Sequence, residues 1–348
     1  MKIPKPGLNS TLMNLNKVLL PLFFGSLALG ELQRLPGLPL YAHDFILAGL
    51  LLVNWRRLKL FRPVLWFGLA GLLSLILSGF KPGGLYLVRF LTYSLLINLA
   101  VKPIYLLGFS SALAGLGLIQ YLVVPDTRFL LSLNWDDHYY RLLSTLFDPN
   151  FTGIILVLGL VLIYFTRPRD WWLYLLHFSA LLLTYSRSSY LALVSAMVAV
   201  AIFKKNYKII LVILVFLASL VFLPRPGGDG VKLERLFSAR QRLDNYREGI
   251  GLWQQSPVFG LGFNSLRYYR GDPDSHAAAG LDSSLIFVLA TTGVLGFLAY
   301  LNLLKNLWGK SLLVKITLMA LLVDSLFINS LFYAFVMIWL WSLPKIDK

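Results

Sequence analysis

The 348-residue chain is 57% hydrophobic and 14% charged, with a mean hydropathy of +0.71 and a formal net charge of +16. This balance excludes an ordinary soluble domain. Because the basic residues are scattered between apolar segments, it also argues against a continuous surface for nucleic acid. The chain has no cysteine, which excludes disulfide bonds and thiolate metal sites.

Apolar segments of about 15 to 23 residues recur along the chain, and this length matches the roughly 20 residues that a helix needs to cross a hydrocarbon core. The first segment begins near Lys17 and lacks a small-residue cleavage site, so we expect a retained helix and not a signal peptide. About twelve such segments predict an all-α, polytopic integral membrane helix bundle, with residues 1–348 as a single transmembrane domain. Their approximate bounds are 15–32, 43–55, 63–79, 85–101, 103–124, 150–166, 171–184, 188–203, 208–223, 283–304, 311–326 and 328–343.

Every second connection between these segments is basic. These connections carry Arg56, Arg57, Lys59, Arg62, Lys102, Arg167, Arg169, Lys204, Lys205, Lys208, Lys305 and Lys310. The positive-inside rule makes them cytoplasmic, which places the N-terminus inside and the other connections outside. Two outside connections are long, residues 125–149 and 224–281, and long loops are more often functional than filler. The longer one has helical composition from Val231 to Gln255, so we expect it to contain short helices.

The first candidate site precedes the sixth segment. Asp148-Pro149-Asn150 is typical of a helix start, with Asp148 as the N-cap. Arg141 lies in the otherwise apolar approach to that segment, where an arginine needs an anionic partner or water. We therefore interpret Arg141 as a candidate anion-binding residue.

The second candidate is the tight outer turn Ser186-Arg187-Ser188. A lone arginine between two short apolar segments either snorkels to the lipid headgroups or pairs with an anion. Guanidinium groups match phosphate oxygens, and hydroxyl groups add further donors. The flanking serines therefore favour a phosphate-binding cradle.

The third candidate is the long outer loop, which carries Arg235, Arg240, Arg242, Arg247, Arg267 and Arg270. Arg240 and Asp244 have i,i+4 spacing on a helix, and Arg247 is three residues from Asp244. Part of this loop is therefore equally well explained as a solvated face of ion pairs.

The second half of this loop contains two closely spaced glycines, in Gly260-Leu-Gly262-Phe-Asn264. No predicted strand precedes them and no third glycine follows, so this is not a dinucleotide fingerprint. We expect a turn that brings the backbone close to another group.

The fourth candidate is Asp282-Ser283-Ser284, at the end of the loop, with His276 six residues before Asp282. Asp282 either caps the next helix or, near several arginines, accepts a proton from a sugar hydroxyl group. An exposed loop histidine such as His276 more often has no catalytic role than one.

These features occur in a fixed order along the chain. An arginine precedes Asp-Pro-Asn, Ser-Arg-Ser follows, and then come Pro257-Val-Phe-Gly260-Leu-Gly262-Phe-Asn264 and Asp282 before Thr-Thr-Gly293-Val-Leu-Gly296. In this order, over residues 138–300, the chain resembles the O-antigen ligase and O-antigen polymerase superfamily of bacterial membrane glycosyltransferases. The resemblance implies a GT-C-like, multi-pass protein of the bacterial inner (cytoplasmic) membrane, with its active site facing the periplasm or the outside.

Members of this family transfer a glycan from undecaprenyl diphosphate, a membrane lipid, to a sugar hydroxyl group of the lipid A core or of a growing glycan. The resemblance implies an inverting reaction that needs neither metal nor cofactor, with Arg141, Arg187 and Arg242 holding the diphosphate. Asp282 stands where similar ligases carry a histidine, so Asp282 and His276 are the candidate catalytic residues. The residues expected to support this site are Asp148, Asn150, Ser186, Ser188, Arg240, Gly260, Gly262 and Asn264.

The alternative is a transporter or flippase of a lipid-linked glycan. Carriers usually place ionisable residues in mid-membrane and show paired interrupted helices. Here the charges inside apolar segments are few, such as Arg89, Lys315 and Asp324, and the outer loop holds most of the arginines. A scaffold that binds a partner through this loop ranks third, because the loop lacks a cluster of exposed aromatic residues.

Overall fold

The computed structural model describes residues 8–35, 40–133, 135–271 and 280–346, so the candidate catalytic residue His276 lies outside the described residues. In this part the chain is helical, and extended backbone pairs only at two isolated bridges. The helices are α1 (Leu8–Leu27), α2 (Ala42–Asn54), α3 (Arg62–Leu77), α4 (Tyr86–Ser94), α5 (Pro103–Val123), α6 (Pro149–Thr166), α7 (Trp171–Leu183), α8 (Arg187–Phe203), α9 (Ile209–Val221), α10 (Phe237–Gln255), α11 (Leu266–Tyr269), α12 (Ser284–Trp308), α13 (Leu312–Asp324) and α14 (Ala334–Ser342).

Each predicted apolar segment overlaps one of these helices. The fourth and the last contain only short α-helices, α4 and α14, which continue as the 3₁₀ turns Leu95–Asn98 and Leu343–Lys345. Among the described helices, α5, α6 and α12 are long and apolar enough to cross a membrane. The all-α class and the membrane character are thereby confirmed, and the count of about twelve crossings stays a prediction.

Helix α6 lies at the centre of the bundle. Every residue from Thr152 to Ile163 is buried, as expected for a helix surrounded by others, and α6 packs against α5, α7, α8 and α13. Gly159 makes room for His177 of α7, since a Cβ there would lie 2.7 Å from its Cδ2 atom. The His177 Nε2 atom in turn forms a 2.9 Å hydrogen bond with Ser110 of α5. These small and polar residues therefore fix three helices against one another.

Helix α10 is the principal helix of the long loop. It begins at Phe237, later than the expected Val231, because a 3₁₀ turn and extended chain come first. It packs across the start of α12, where a Cβ on Gly249 would lie 2.6 Å from Ile286 Cγ2 and 3.0 Å from Leu281 Cδ1. Helices α6, α8 and α12 all begin at one end of the bundle, and α10 lies over this end. We refer to it as the site end.

Helix α12 is broken at Gly293, which has φ 63° and ψ −169°. The loop that follows α10 enters this break. The backbone N–H of Val294 donates to Pro257 O (2.9 Å), and the N–H of Leu261 donates to Ala290 O (3.0 Å). The inserted loop thus satisfies backbone groups that the interrupted helix leaves unpaired.

Gly260, Gly262 and Asn264 all belong to this inserted loop. Gly260 lies against the α12 backbone with φ +73°, and Gly262 N donates to Ser74 Oγ of α3 (3.0 Å). Asn264 Nδ2 donates to Gly83 O (2.9 Å). The expected turn is present. It contacts α12 at Gly293, about 13 Å from the first residue of that helix, since an α-helix rises 1.5 Å per residue. The structure therefore accounts for these three residues by packing between helices and not by contact with the predicted arginine site.

We predict that Gly260→Ala lowers the free energy of unfolding by more than about 2 kcal/mol, because the added Cβ would overlap the α12 backbone at a positive φ. Gly251→Ala is the control: its Cβ position in α10 is open, so alanine is expected to add about 0.5–1 kcal/mol of stability. Melting temperatures of the purified variants in detergent measure both effects. A Gly260→Ala protein as stable as the wild type would contradict insertion of the loop into α12.

Candidate functional site

Two short segments at the site end have strained backbone. Tyr140, Ser144 and Phe147 surround Arg141 and have φ values of 51°, 54° and 55°. Tyr185, with φ 50°, immediately precedes the Ser-Arg-Ser turn. Such conformations cost about 1–3 kcal/mol for each non-glycine residue and cluster at functional sites. Four of the six non-glycine residues with positive φ in the described part of the chain therefore lie in the two segments that carry Arg141 and Arg187, and Lys205 and Asn264 are the other two.

Arg141 is buried, with 7% of its surface exposed. Its Nε atom donates to Thr184 O (2.9 Å), and its Nη2 atom donates weakly to Asn150 Oδ1 (3.5 Å). Gly230 covers the aliphatic part of the side chain, since a Cβ there would lie 2.9 Å from Arg141 Cδ. These contacts orient the guanidinium group without supplying a negative charge.

Asn150 connects Arg141 to the Ser-Arg-Ser turn. Its Oδ1 atom also accepts a hydrogen bond from Ser186 Oγ (3.0 Å). Ser186 is the N-cap of α8 and accepts from Ser189 N (3.4 Å), while Ser188 is buried beside it. The Ser186 hydroxyl group, which was predicted to bind phosphate, therefore caps α8 and connects this helix to Asn150.

Asp148 is the N-cap of α6, as its sequence context indicates. Its carboxylate accepts from Asn150 N (2.6 Å) and Phe151 N (3.0 Å). Burial raises the pKa of Asp148, while these hydrogen bonds and the charge of Arg141 lower it. Asp148 therefore fixes the first turn of α6 and offsets part of the Arg141 charge.

Arg187 and Arg235 join α8 to the chain that precedes α10. Arg187 Nη1 donates to Leu233 O (3.2 Å) and to Arg235 O (2.8 Å). Arg235 Nη1 donates to Gly230 O (2.6 Å), and its Nη2 lies 3.5 Å from Tyr185 O. Arg235 was not among the predicted binding residues; its only signal in the sequence was membership of the arginine-rich loop.

Arg242 faces the bundle from α10. Its Nε atom donates to Phe327 O (3.2 Å), and its guanidinium carbon lies 5.5 Å from the Phe327 ring centroid. Arg240, two residues earlier and therefore on the opposite side of the helix, is exposed, so the structure does not bring it to Arg242. Arg247 forms an exposed ion pair with Asp244 (3.1 Å), as the alternative of a solvated face predicts.

Arg141, Arg187, Arg235 and Arg242 form the arginine cluster. Burial lowers the pKa of Arg141 to about 9, and the charges of Arg235 and Arg242 contribute to this shift. Burial also lowers the pKa of Arg235 to about 10, with contributions from Arg187 and Arg242. A lowered arginine pKa means that the cation is disfavoured in the protein alone. The cluster therefore has the electrostatics of a site for an anion.

Asp282 lies beside this cluster. The N-cap of α12 is Ser283, whose hydroxyl group accepts a backbone N–H of the first turn at 3.5 Å. The capping interpretation of Asp282 is therefore wrong, and its carboxylate is not used in the cap. Burial raises the pKa of Asp282, while the charges of Arg242 and Arg270 lower it. A partly buried carboxylate with a raised pKa has the properties of a general base.

Asp324 is a carboxylate that the sequence analysis did not assign to the site. It ends α13 and is fully buried, with the hydroxyl groups of Ser188 and Ser330 beside its carboxylate. Its carbonyl accepts from the N–H of Phe327, the residue that receives Arg242. Its signal in the sequence was a charge inside an apolar segment. In the described ranges, no three acidic or histidine side chains come together as a metal site.

Comparison with known proteins agrees with this geometry. Residues 172–301 match the family model described as O-Antigen ligase, and none of the curated proteins matches the chain. The matched range contains Arg187, Arg242, Asp282 and the break at Gly293, whereas Arg141 precedes it. The predicted resemblance to the O-antigen ligase and O-antigen polymerase superfamily of membrane glycosyltransferases is thereby confirmed over residues 172–301.

Proposed function

We propose that the protein transfers a glycan from an undecaprenyl-diphosphate carrier to a hydroxyl group of an acceptor sugar, on the lipid A core or on a growing glycan. The observation that carries the proposal is the arginine cluster at the site end, where Arg141 and Arg242 donate to backbone carbonyls and the charges of Arg235 and Arg242 lower the pKa of Arg141. The family match supports an enzyme of the ligase or polymerase type.

The arginine cluster would bind the diphosphate of the donor. Guanidinium groups pair with phosphate oxygens through charge-assisted hydrogen bonds, which are about twice as strong as neutral ones. Arg141 and Arg242 are already oriented by backbone carbonyls, so little reorganisation is needed on binding. As the bond to the sugar breaks, negative charge grows on the diphosphate, and the cluster stabilises this leaving group.

Asp282 would act as the base. It accepts the proton of the acceptor hydroxyl group while that oxygen attacks the anomeric carbon, and the carbon–oxygen bond to the diphosphate breaks. Attack opposite the leaving group inverts the anomeric centre, and the diphosphate remains on its lipid carrier. Neither a metal ion nor a cofactor is required in this scheme. His276 stays a second prediction for this role.

The reaction would take place on the periplasmic or outer side of the bacterial cytoplasmic membrane. The basic connections of the chain support this orientation through the positive-inside rule. The arginine cluster, α10 and Asp282 share the site end, which this orientation places outside. The carrier lipid would therefore present its diphosphate at the membrane surface beneath α10.

We predict that Arg242→Gln reduces surface glycan at least about tenfold and causes lipid-linked donor to accumulate, since a lost hydrogen bond to a charged group costs about 1.5–3 kcal/mol. Glycan electrophoresis and lipid extraction from a complemented deletion strain provide the measurement. Arg247→Gln, on the same helix but in an exposed ion pair, is the matched control and should stay within about twofold of wild type. Wild-type glycan and donor levels in Arg242→Gln would refute a role of the cluster in donor binding.

Asp282→Asn should leave binding of undecaprenyl diphosphate intact and slow transfer by about a hundredfold or more, because the proton acceptor is lost. Purified protein in vesicles, supplied with lipid-linked glycan extracted from cells, allows both to be measured. A variant that retains the wild-type transfer rate would remove Asp282 from the mechanism.

A pH profile tests the same carboxylate independently. The charge of Arg270 lowers the pKa of Asp282, so Arg270→Gln should raise it and move the acidic limb of the transfer rate to higher pH. Glu248→Gln breaks the ion pair with Arg270 (2.6 Å) but keeps the cation, so its acidic limb should not move to higher pH. An unchanged limb in Arg270→Gln would contradict titration of Asp282 in catalysis.

The glycan phenotype of a deletion strain distinguishes the two reaction types. Loss of a polymerase is expected to shorten the glycan chains, whereas loss of a ligase leaves full-length chains on the carrier lipid. Profiling the lipid-linked and surface glycans of one strain therefore separates the two acceptors.

A further inference from the structure

A buried polar network lies at the site end among the helices that precede residue 100. Glu31, in the turn after α1, is 5% exposed. Its carboxylate accepts hydrogen bonds from Tyr41 OH (3.0 Å) and Tyr333 OH (3.1 Å). The Tyr41 ring also lies 5.1 Å from the guanidinium carbon of Arg89, which forms an ion pair with Asp44 (2.9 Å). The reaction proposed above uses none of these residues.

Tyr333 links this network to the arginine cluster. Its ring stacks on Phe151, with centroids 3.9 Å apart and planes at 15°. Phe151 lies in the first turn of α6, where its N–H donates to Asp148. The neighbouring residue, Asn150, contacts Arg141. The first turn of α6 therefore packs against the Tyr333 ring.

Tyr333 also ends the connection between α13 and α14. In this connection the carbonyl of Phe327 receives Arg242, and the carbonyl of Ser325 accepts the N–H of Ser284 at the start of α12 (3.0 Å). One short stretch of chain thus touches both α10 and α12. Its far end is held by the hydrogen bond from Tyr333 to Glu31.

We propose that Glu31 is a positioning residue for the arginine cluster: through Tyr333 it holds the first turn of α6 and residues 325–333 in the geometry that presents Arg141 and Arg242 to an anion. The identity of that anion as a diphosphate rests on the proposed function. Glu31 and Tyr333 both lie outside the matched residues 172–301. Residues from the first and last parts of the chain therefore complete a site of which Arg187, Arg235, Arg242 and Asp282 lie in the matched range.

The energetic basis is the burial of two tyrosine hydroxyl groups against one carboxylate. Hydrogen bonds to a charged acceptor are stronger than neutral ones, and a buried donor left without a partner bears its full desolvation cost. Glutamine at this position keeps an acceptor oxygen for the tyrosines, whereas leucine of similar size does not.

The test compares Glu31→Leu with Glu31→Gln in the purified full-length protein, in nanodiscs. In Glu31→Leu we expect the dissociation constant for undecaprenyl diphosphate to rise roughly three- to tenfold, since a change of about 1.4 kcal/mol is tenfold. We also expect faster amide hydrogen exchange in residues 141–152 and 325–333. Glu31→Gln should restore both values to near the wild-type level.

Asn54→Leu is the matched control for general destabilisation. Asn54 is a buried residue at the other end of α2, and its side chain exchanges hydrogen bonds with Asn16 (2.6 and 2.9 Å). It should lower the melting temperature without accelerating exchange in residues 141–152. The proposal is overturned if Glu31→Leu leaves exchange there unchanged, or if Asn54→Leu accelerates it equally. If exchange responds as expected but the wild type does not bind undecaprenyl diphosphate, the positioning stands and the proposed function fails.

Discussion

The site depends on gathering arginine side chains at one end of the bundle, where Asp148 offsets only part of the Arg141 charge. Arg141, Arg235 and Arg242 donate hydrogen bonds to backbone carbonyls, and Arg141 also donates to the Asn150 amide. A carbonyl satisfies an N–H group and fixes its direction, but it carries no net charge. The guanidinium groups of Arg141, Arg235 and Arg242 are thereby oriented towards a common region, at the cost of mutual repulsion and desolvation. Strained backbone beside Arg141 and before Arg187 is a second cost concentrated at the same place.

The helices and loops that hold the arginines are fixed by contacts at two places away from them. The loop after α10 is inserted into the break of α12 at Gly293, and Glu31 holds the connection that supports Arg242. An interrupted helix is also a feature of carriers, whose unwound carbonyls bind ions. Here Pro257 and Ala290 show a different use, because their carbonyls accept backbone N–H groups across the break. This arrangement favours a rigid support for α10 over a transport pathway.

Much of this architecture was predictable from local sequence. Apolar segments of membrane length predicted the helices, because each segment must satisfy its own backbone groups in an apolar medium. Asp148-Pro149 predicted the start of α6, since N-cap chemistry involves only neighbouring residues. The ordered set of motifs over residues 138–300, together with the predicted topology, indicated the resemblance to the family. Local patterns did not predict which residue caps α12: Asp282 and Ser283 are both good N-caps, and backbone geometry selects Ser283.

Local sequence patterns therefore predicted the apolar helices, the resemblance to the family over residues 172–301 and the segments that carry the arginines. Which charges meet depends on the packing of the helices: Arg235 joins the cluster, while Arg240 faces away. The tertiary structure also decided that Gly260 packs in a helix break and that Tyr333 bonds to Glu31, 302 positions away. The physical reason is that these contacts depend on how helices rotate and approach one another. Burial, charge coupling and backbone insertion arise from that packing, and no local pattern in the chain encodes them.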